Sequence, residues 1–510
     1  MGKYYIGFDC GTQSVKVAIY DADFELVDTE QTPTEIKYPN DGWAELDVNE
    51  YLNSVRTGIK ICIERSEINP RDVRAICGDG IICGIVGIDK DGEAITPYIP
   101  YLDSKRCSED TEWINNNLEP LWLNECGNPE IASWYPIAYM RWLLKNNEEF
   151  KKNGVKFVHN GPYVLSKLAG IKADDMFIDY ATLSGSQIGY DIVKKEWSKK
   201  QLDSLEIPLE LLPKIVNPWD TVGYLTEDEA ELTGLVKGIP IIAGAGDTMQ
   251  SLLGCGLIES GMASDVAGTA AMIAIVVDKP YEELNAMPGL CLSIGTLGDT
   301  YFYWGIVRAG GLSLRWFKDN VCNKATDNSF YDEIEKKVTK VNVGADGVIF
   351  IPYLQGGDGD LKSASGCFMN MSAKTDQGEL YRAILESIAY EYKDVLDEIK
   401  EKNIPIKSIV VTEGGSKSNA WNQIKADVIN TDVYTVKIKE GAVRSNVLLA
   451  AYAVGDIKDL KGTIKDMSQI KDYFKVNKNN SEKYKTLFDK RKKLINTELM
   501  GAFDTLSTMI

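Results

Sequence analysis

Apolar positions at the start of the chain fall into two short runs: "YYIGF" has the aromatic and β-branched character of a strand, and "VKVAIYD" alternates. Between them stand Asp9, Cys10, Gly11, Thr12, Gln13 and Ser14, with the glycine and small polar residues of a turn. The pattern predicts a β-hairpin. It recurs further on, where "VAGTAAMIAIVVD", Val266 to Asp278, superposes without a gap on "DCGTQSVKVAIYD", Asp9 to Asp21. Gly268 then falls on Gly11 and Thr269 on Thr12. A strand, Gly-Thr turn and strand repeated at such a separation predicts a duplicated fold with two related halves.

The pattern between the hairpins alternates helix and strand. In "VNEYLNSVRTGIKICIERS" the residues Leu52, Val55, Ile59 and Cys62 recur at helical spacing, and the Gly-rich "VRAICGDGIICGIVGID" follows as strand, loop and strand. A strand from Ile239 to Ala243 runs into a Gly-rich turn and a helix. In the second half, Leu380, Ile384, Ile388, Tyr392 and Leu396 share one helical face, with Asp376 and Glu379 as a capping pair. The strand in "IKSIVVTEGGSKS" meets another Gly-rich turn before the helix "NAWNQIKADVIN", and the Lys-rich tail after Lys458 reads as solvated helix. This punctuation is that of α/β architecture. At 510 residues the chain fits two domains, 1–255 and 256–510.

Charge and cysteine usage narrow the class. A formal charge of −19 argues against general binding to nucleic acid or anionic membranes. Ten cysteines are scattered singly, the pattern of reduced thiols in a cytoplasmic protein. No charged-then-apolar leader opens the chain and no apolar run is long enough to span a bilayer, so a soluble intracellular protein is expected. His159 is the one histidine, which rules out a His-rich metal site, and no GxSxG accompanies it. Acid–base work in such a chain falls to a carboxylate.

Four strand-to-loop junctions carry Gly with polar residues: Asp9 to Ser14, Gly244 to Thr248, Ala267 to Thr269, and Glu413 to Ser418. Ligands gather at such ends in α/β folds. Two Gly-Thr turns could hold a polyphosphate through close backbone N–H groups and a hydroxyl, with Asp9 serving a metal, since Val266 replaces it in the second copy. Neither a Walker A sequence nor a dinucleotide fingerprint after the first strand is present. Asp247 in "AGAGDTMQ" follows small residues at a strand end and precedes a helix, where Gly244 and Gly246 would leave space for a ligand. It fits both a helix N-cap and a general base for an attacking hydroxyl.

Taken together, these segments resemble the FGGY carbohydrate kinases, the group containing xylulokinase, glycerol kinase, gluconate kinase and ribulokinase. "GFDCGTQSVK" resembles the family's first phosphate hairpin, "GWAELDVNEYL" its Gly-Trp-x-Glu element, and "PYLDSKR" its sugar-contacting segment. "SWYPIAYMRWLLKN" resembles the first signature, "AGAGDTMQSLLGCG" the catalytic-Asp segment, and "ELYRAILESIAYE" the end of the second signature. "AGGLSLRWF" and "EGGSKSNAWNQIKADV" resemble the nucleotide-binding segments. The resemblance implies two ribonuclease-H-like α/β domains around a central cleft, the ATPase core of actin, hexokinase and Hsp70, with sugar on the N-terminal domain and nucleotide on the C-terminal one.

It also implies ATP and Mg²⁺ as cofactors and a small-molecule sugar or polyol as substrate, xylulokinase-like by first expectation. Glycerol, another polyol or a gluconate-type acid is the alternative, and a homodimer stays open. By motif position Asp247 matches the catalytic base, Asp9 and Asp247 the metal carboxylates, and Gly11, Thr12, Gln13, Gly268 and Thr269 the phosphate turns. Gly311, Arg315, Gly414, Gly415 and Ser418 fall at the nucleotide site, and Asp103, Ile82, Cys83 and Trp134 at the sugar site. Departures bear on specificity: Ile82 and Cys83 stand where xylulokinases carry Met-His and glycerol kinases Arg-Glu, and the Arg after the sugar Asp aligns with Lys105 or Arg106. A kinase homologue that binds without turnover, and an actin- or Hsp70-like ATPase, are the competing classes.

Overall fold

The computed structural model describes residues 2–128, 131–267, 271–281, 290–307, 310–357, 361–412, 414–437 and 441–509. The chain forms two compact units, each assembled from several stretches. The first comprises Met1–Ile258, Asp278–Phe302 and Ile438–Ser468, so a segment far beyond residue 255 packs within it; the second comprises Glu259–Val277, Tyr303–Lys437 and Gln469–Ile510.

In the first unit, β1 (Tyr4–Cys10) and β2 (Ser14–Tyr20) form the expected antiparallel hairpin, and β3 (Leu26–Pro33) extends it. On the other side β1 runs parallel to β4 (Val73–Gly80), with Asp9 opposite Asp79. Next come β5 (Thr221–Tyr224) and β6 (Pro240–Ile242), giving the order β5-β6-β4-β1-β2-β3. Helices cover both faces, so the central strands are apolar on both sides. Ile6, Phe8 and Ile76 join one core with Leu52, Val55, Ile59 and Cys62 of the helix Val48–Ser66. Tyr5, Ala75 and Cys77 join another with Val443, Val447 and Leu448 of the helix Gly441–Ala453.

The second unit repeats the plan. The hairpin of β7 (Met262–Ala267) and β8 (Ala271–Val277) is flanked by β9 (Ser408–Thr412) parallel to β7, β10 (Val433–Val436) parallel to β9, and β11 (Ile470–Phe474) antiparallel to β10. The strand ends match the gap-free superposition, yet the registers differ by one: Cys10 pairs with Val15, whereas Ala267 pairs with Ala271. β11 corrects the reading of the tail as helix throughout, because "IKDYF" finds unpaired backbone groups on the edge of β10. The helix Gln377–Glu401 starts on the expected capping box of Asp376 and Glu379, and buries Ile384, Ile388, Tyr392 and Leu396; Leu380 is half-exposed.

Candidate active site

Three carboxylates converge in the first unit because three parallel strands end side by side. Asp9 closes β1, Asp79 closes β4, and the chain leaving β6 continues to Gly246, which bridges Gly80 before the helix Asp247–Gly254 begins. This is the carboxyl edge of the sheet, where α/β folds bind ligands. Gly244 and Gly246 do not leave ligand space, as their pattern suggests. A Cβ on Gly244 would lie 1.9 Å from the Gly78 carbonyl, and one on Gly246 2.0 Å from Ile82 Cγ2, so both glycines serve close packing against β4 and its loop.

Asp247 occupies the first turn of its helix, with Gly246 rather than Asp247 as the cap. Its Oδ1 accepts from the Thr248 amide at 2.5 Å and the Thr248 hydroxyl at 3.1 Å, and the Ile82 amide adds a third donor. Burial, then the charge of Asp9, push its pKa up to about 7 against these donors. Asp79 is fully buried; burial, then the charge of Asp9 and a hydrogen bond to it, hold Asp79 well above the carboxylate range. Two neighbouring acids in register resist ionising together, so the fully buried Asp79, rather than the half-buried Asp9, is the one driven toward its protonated form.

The first Gly-Thr turn is braced from the protein side. Tyr51 Oη donates to the Gly11 carbonyl at 3.0 Å, Thr34 Oγ1 to the Thr12 carbonyl at 2.6 Å, and the Thr34 amide to the Gln13 carbonyl at 3.1 Å. Thr12 is half-buried beside the Tyr101 hydroxyl, and Gln13 is exposed. Gly268 and Thr269, the counterparts in the second hairpin, lie outside the described residues.

At the positions matched to sugar binding, several side chains are engaged by the protein itself. Asp103 is fully buried: Oδ2 accepts from the Ala44 amide at 3.0 Å and Arg106 Nε at 2.9 Å, and Oδ1 from the Arg106 amide at 3.1 Å. Its partner is therefore Arg106 and not Lys105, whose ammonium is exposed and pairs with Asp41 at 2.5 Å. Arg106 also reaches Glu45 at 2.8 Å and lies 4.1 Å over the Trp43 ring, so the Gly-Trp-x-Glu element and "PYLDSKR" form one cluster around the buried Asp103–Arg106 pair. Cys83 Sγ donates to the Gly185 carbonyl at 3.2 Å and is buried. Ile82 meets Asp247 through its backbone. Trp134 keeps a half-exposed ring, edge-on to Tyr135 at 4.7 Å.

Within the second unit, Gly311, Arg315, Gly414, Gly415 and Ser418 line a single cavity of roughly 520 Å³ together with Trp421. Ser418 caps the helix Asn419–Ile429, its Oγ accepting from the Trp421 amide at 3.2 Å. That helix is anchored by Lys425, buried against Asp265 of β7 and lying 3.7 Å over the Trp421 ring. Tertiary placement thus joins the helix that carries Gly311 and Arg315 to the turn at Gly414.

Sequence reasoning missed Asp79, Gln250 and Asn446, which connect behind the carboxylates. The signal was present: an Asp inside the buried strand "ICGDG", and an Asn inside the apolar helix "SNVLLAAYA". His159, by contrast, behaves as its isolation suggests, since burial pushes its pKa down to about 4 and leaves the imidazole neutral.

A duplicated strand-hairpin fold with carboxylates gathered at the carboxyl edge of one sheet is an arrangement suited to phosphoryl transfer to a hydroxyl. The chain belongs to the FGGY family of carbohydrate kinases: the model of its N-terminal domain matches residues 4–254 and that of its C-terminal domain residues 264–454. It is 24% identical over 489 residues to the xylulose kinase of Staphylococcus epidermidis, covering 95% of this chain and 94% of that one. It is 28% identical over 466 residues to glycerol kinase 2 of Saccharolobus solfataricus, covering 89% of each. Among solved structures, Plasmodium falciparum glycerol kinase with ADP superposes with a TM-score of 0.87 at 19% identity, covering 97% of this chain and 98% of that one. The protein is a carbohydrate kinase. Among the described residues, no helix is long and apolar enough to cross a membrane.

Proposed function

We propose that this chain transfers the γ-phosphoryl group of ATP to a hydroxyl of a ketose of the xylulose type, with Asp247 as the base. The observation that carries this reading is Asp247 itself, set at a helix start at the sheet's carboxyl edge with its pKa raised to about 7, where proton acceptance near neutrality is most effective. The acceptor hydroxyl gives its proton to Asp247 as its oxygen bonds to the γ-phosphorus; the bond to the β,γ-bridging oxygen breaks and ADP leaves. Thr248 and the Ile82 amide fix the carboxyl for that transfer. In the second unit, the cavity walled by Gly311, Arg315, Gly414, Gly415 and Ser418 accepts the nucleotide.

Among the described residues no group of three or more His, Cys, Asp or Glu is assembled to hold a metal ion. Mg²⁺ needs no such cage, because it is held through one or two carboxylates with phosphate oxygens and water. Asp9 and Asp247 fit that part, and a bound Mg²⁺ would neutralise phosphate charge. The singly scattered cysteines and the need for ATP agree with work in the cytoplasm.

Substrate choice is tested by ADP release screened across pentuloses, polyols and sugar acids, each with an ATP-only control. A ketose giving the highest kcat/KM supports the reading, and no stimulation by any acceptor sinks it. Glycerol is the second reading, favoured by the higher identity to the glycerol kinase; Ile82 and Cys83, which lack the Arg-Glu pair of glycerol kinases, keep it second.

The turn is tested separately. A Cβ on Gly11 would lie 3.3 Å from the Ser14 carbonyl and 3.4 Å from Asp9 Oδ1, so the branches of Gly11→Val would press on the Asp9 carboxylate. Calorimetry is expected to show ATP affinity reduced about tenfold or more, with Tm lowered by only a few degrees. Unchanged affinity would make the turn a plain hairpin connection.

A further inference from the structure

Asn446, on the helix Gly441–Ala453, is fully buried and engages both faces of its amide. Nδ2 donates to the Phe8 carbonyl at 3.0 Å and to Asp79 Oδ2 at 2.5 Å. Oδ1 accepts from Gln250 Nε2 at 2.7 Å and, weakly, from Cys77 Sγ at 3.8 Å. Two N–H groups and two lone pairs are all that an Asn amide has. Phe8 directly precedes Asp9, and Gln250 lies one turn after Asp247 on the same helix. The adjacent Ser445 hydroxyl donates to the Gln250 carbonyl at 2.6 Å, and a Cβ on Gly254 would stand 2.1 Å from the Gly441 carbonyl, so the two helices meet at backbone distance.

An amide in an apolar helix is not what packing alone selects, since apolar groups of the same shape can be as stable once both partners are replaced. What a fully bonded amide adds is a fixed geometry among the elements it joins. Those elements are β1, β4 and the helix that starts at Asp247. Phosphoryl transfer depends on placement to within a fraction of an ångström.

We propose that Asn446 is a positioning residue for phosphoryl transfer: through Gln250 it holds the helix turn bearing Asp247, and through the Phe8 carbonyl and Asp79 it holds Asp9. The proposal rests on Asp247 being the base. It acts on the transition state more than on binding, so its signature is a fall in kcat with KM nearly constant.

The test uses the full chain with saturating acceptor and ATP. Asn446→Leu, close in shape but without hydrogen bonds, is expected to lower kcat about 30-fold while both KM values stay within about twofold, as a displacement of up to an ångström would do. Gln250→Leu, which cuts one arm of the same tie, should lower kcat about fivefold, and the double variant should be no worse than Asn446→Leu alone. A merely structural role would lower Tm and leave kcat per folded molecule intact; a kcat for Asn446→Leu within twofold of wild type overturns the proposal. If Asn446→Leu does not fold, Gln250→Leu decides by the same criterion. Asp247→Asn, assayed alongside, separates the two readings. If it is inactive while Asn446→Leu is normal, the positioning role falls and the base stands; if it is active, the base assignment falls and the positioning role with it.

Discussion

Asp247→Asn is expected to lower kcat about 10³-fold while ATP binding by calorimetry stays within a factor of about two, the range that loss of a general base produces. The amide keeps the shape and can still accept from the Thr248 amide and hydroxyl that hold Oδ1, but it cannot take a proton. Because proton acceptance is needed in the transition state and not for binding, the loss appears in kcat. The wild type should show the matching pH dependence. Burial and Asp9 raise the Asp247 pKa to about 7, so the free enzyme carries an increasing fraction of protonated, inactive Asp247 as pH falls below that value. kcat/KM for the acceptor is therefore expected to decline with unit slope below about pH 7 and to be flat above it. The residual activity of Asp247→Asn should lack that limb. Turnover near wild type, or an unchanged acid limb in the variant, would remove Asp247 from the mechanism.

Lys425→Met is expected to produce the largest loss of stability. Lys425 and Asp265 are both buried, and the ammonium answers the carboxylate of β7 while lying on the Trp421 ring. Methionine fills much of the same volume but leaves Asp265 as a charge without its counter-ion, a change that costs about 3–5 kcal/mol in comparable buried pairs. Chemical denaturation with a probe in the second unit measures it. Nucleotide affinity should fall as well, because Trp421 lines the cavity assigned to ATP. The double variant Asp265→Leu/Lys425→Met should recover most of the stability, since the expense lies in the stranded charge and not in the lost attraction. A single variant within about 1 kcal/mol of wild type would show that water reaches the pair.

What is local in this chain was legible in its pattern. Both hairpins, the buried face of Val48–Ser66 and the capping box at Asp376 follow from residues within a few positions of one another, where periods of two and 3.6 and the needs of a helix end act directly. The repeat showed the duplication because each half carries its own hairpin. The one-residue difference in pairing did not show, since register depends on the turn and on the faces each strand must bury.

The chemistry of the site was decided by distant parts of the chain. Asp9 and Asp79 meet because β1 and β4 pair in parallel, and that register is set by helices packed on both faces. Arg106, not Lys105, turns inward because Trp43 and Glu45, some sixty residues earlier, receive it. Asn446 reaches the Phe8 carbonyl across 438 residues of sequence. Residue types can announce a base, a turn or a cap, because those depend on a few neighbouring bonds. Which carboxylate keeps a proton, and which amide holds the base in place, depends on burial and on partners that only the packing of helices against the sheet brings within hydrogen-bond distance.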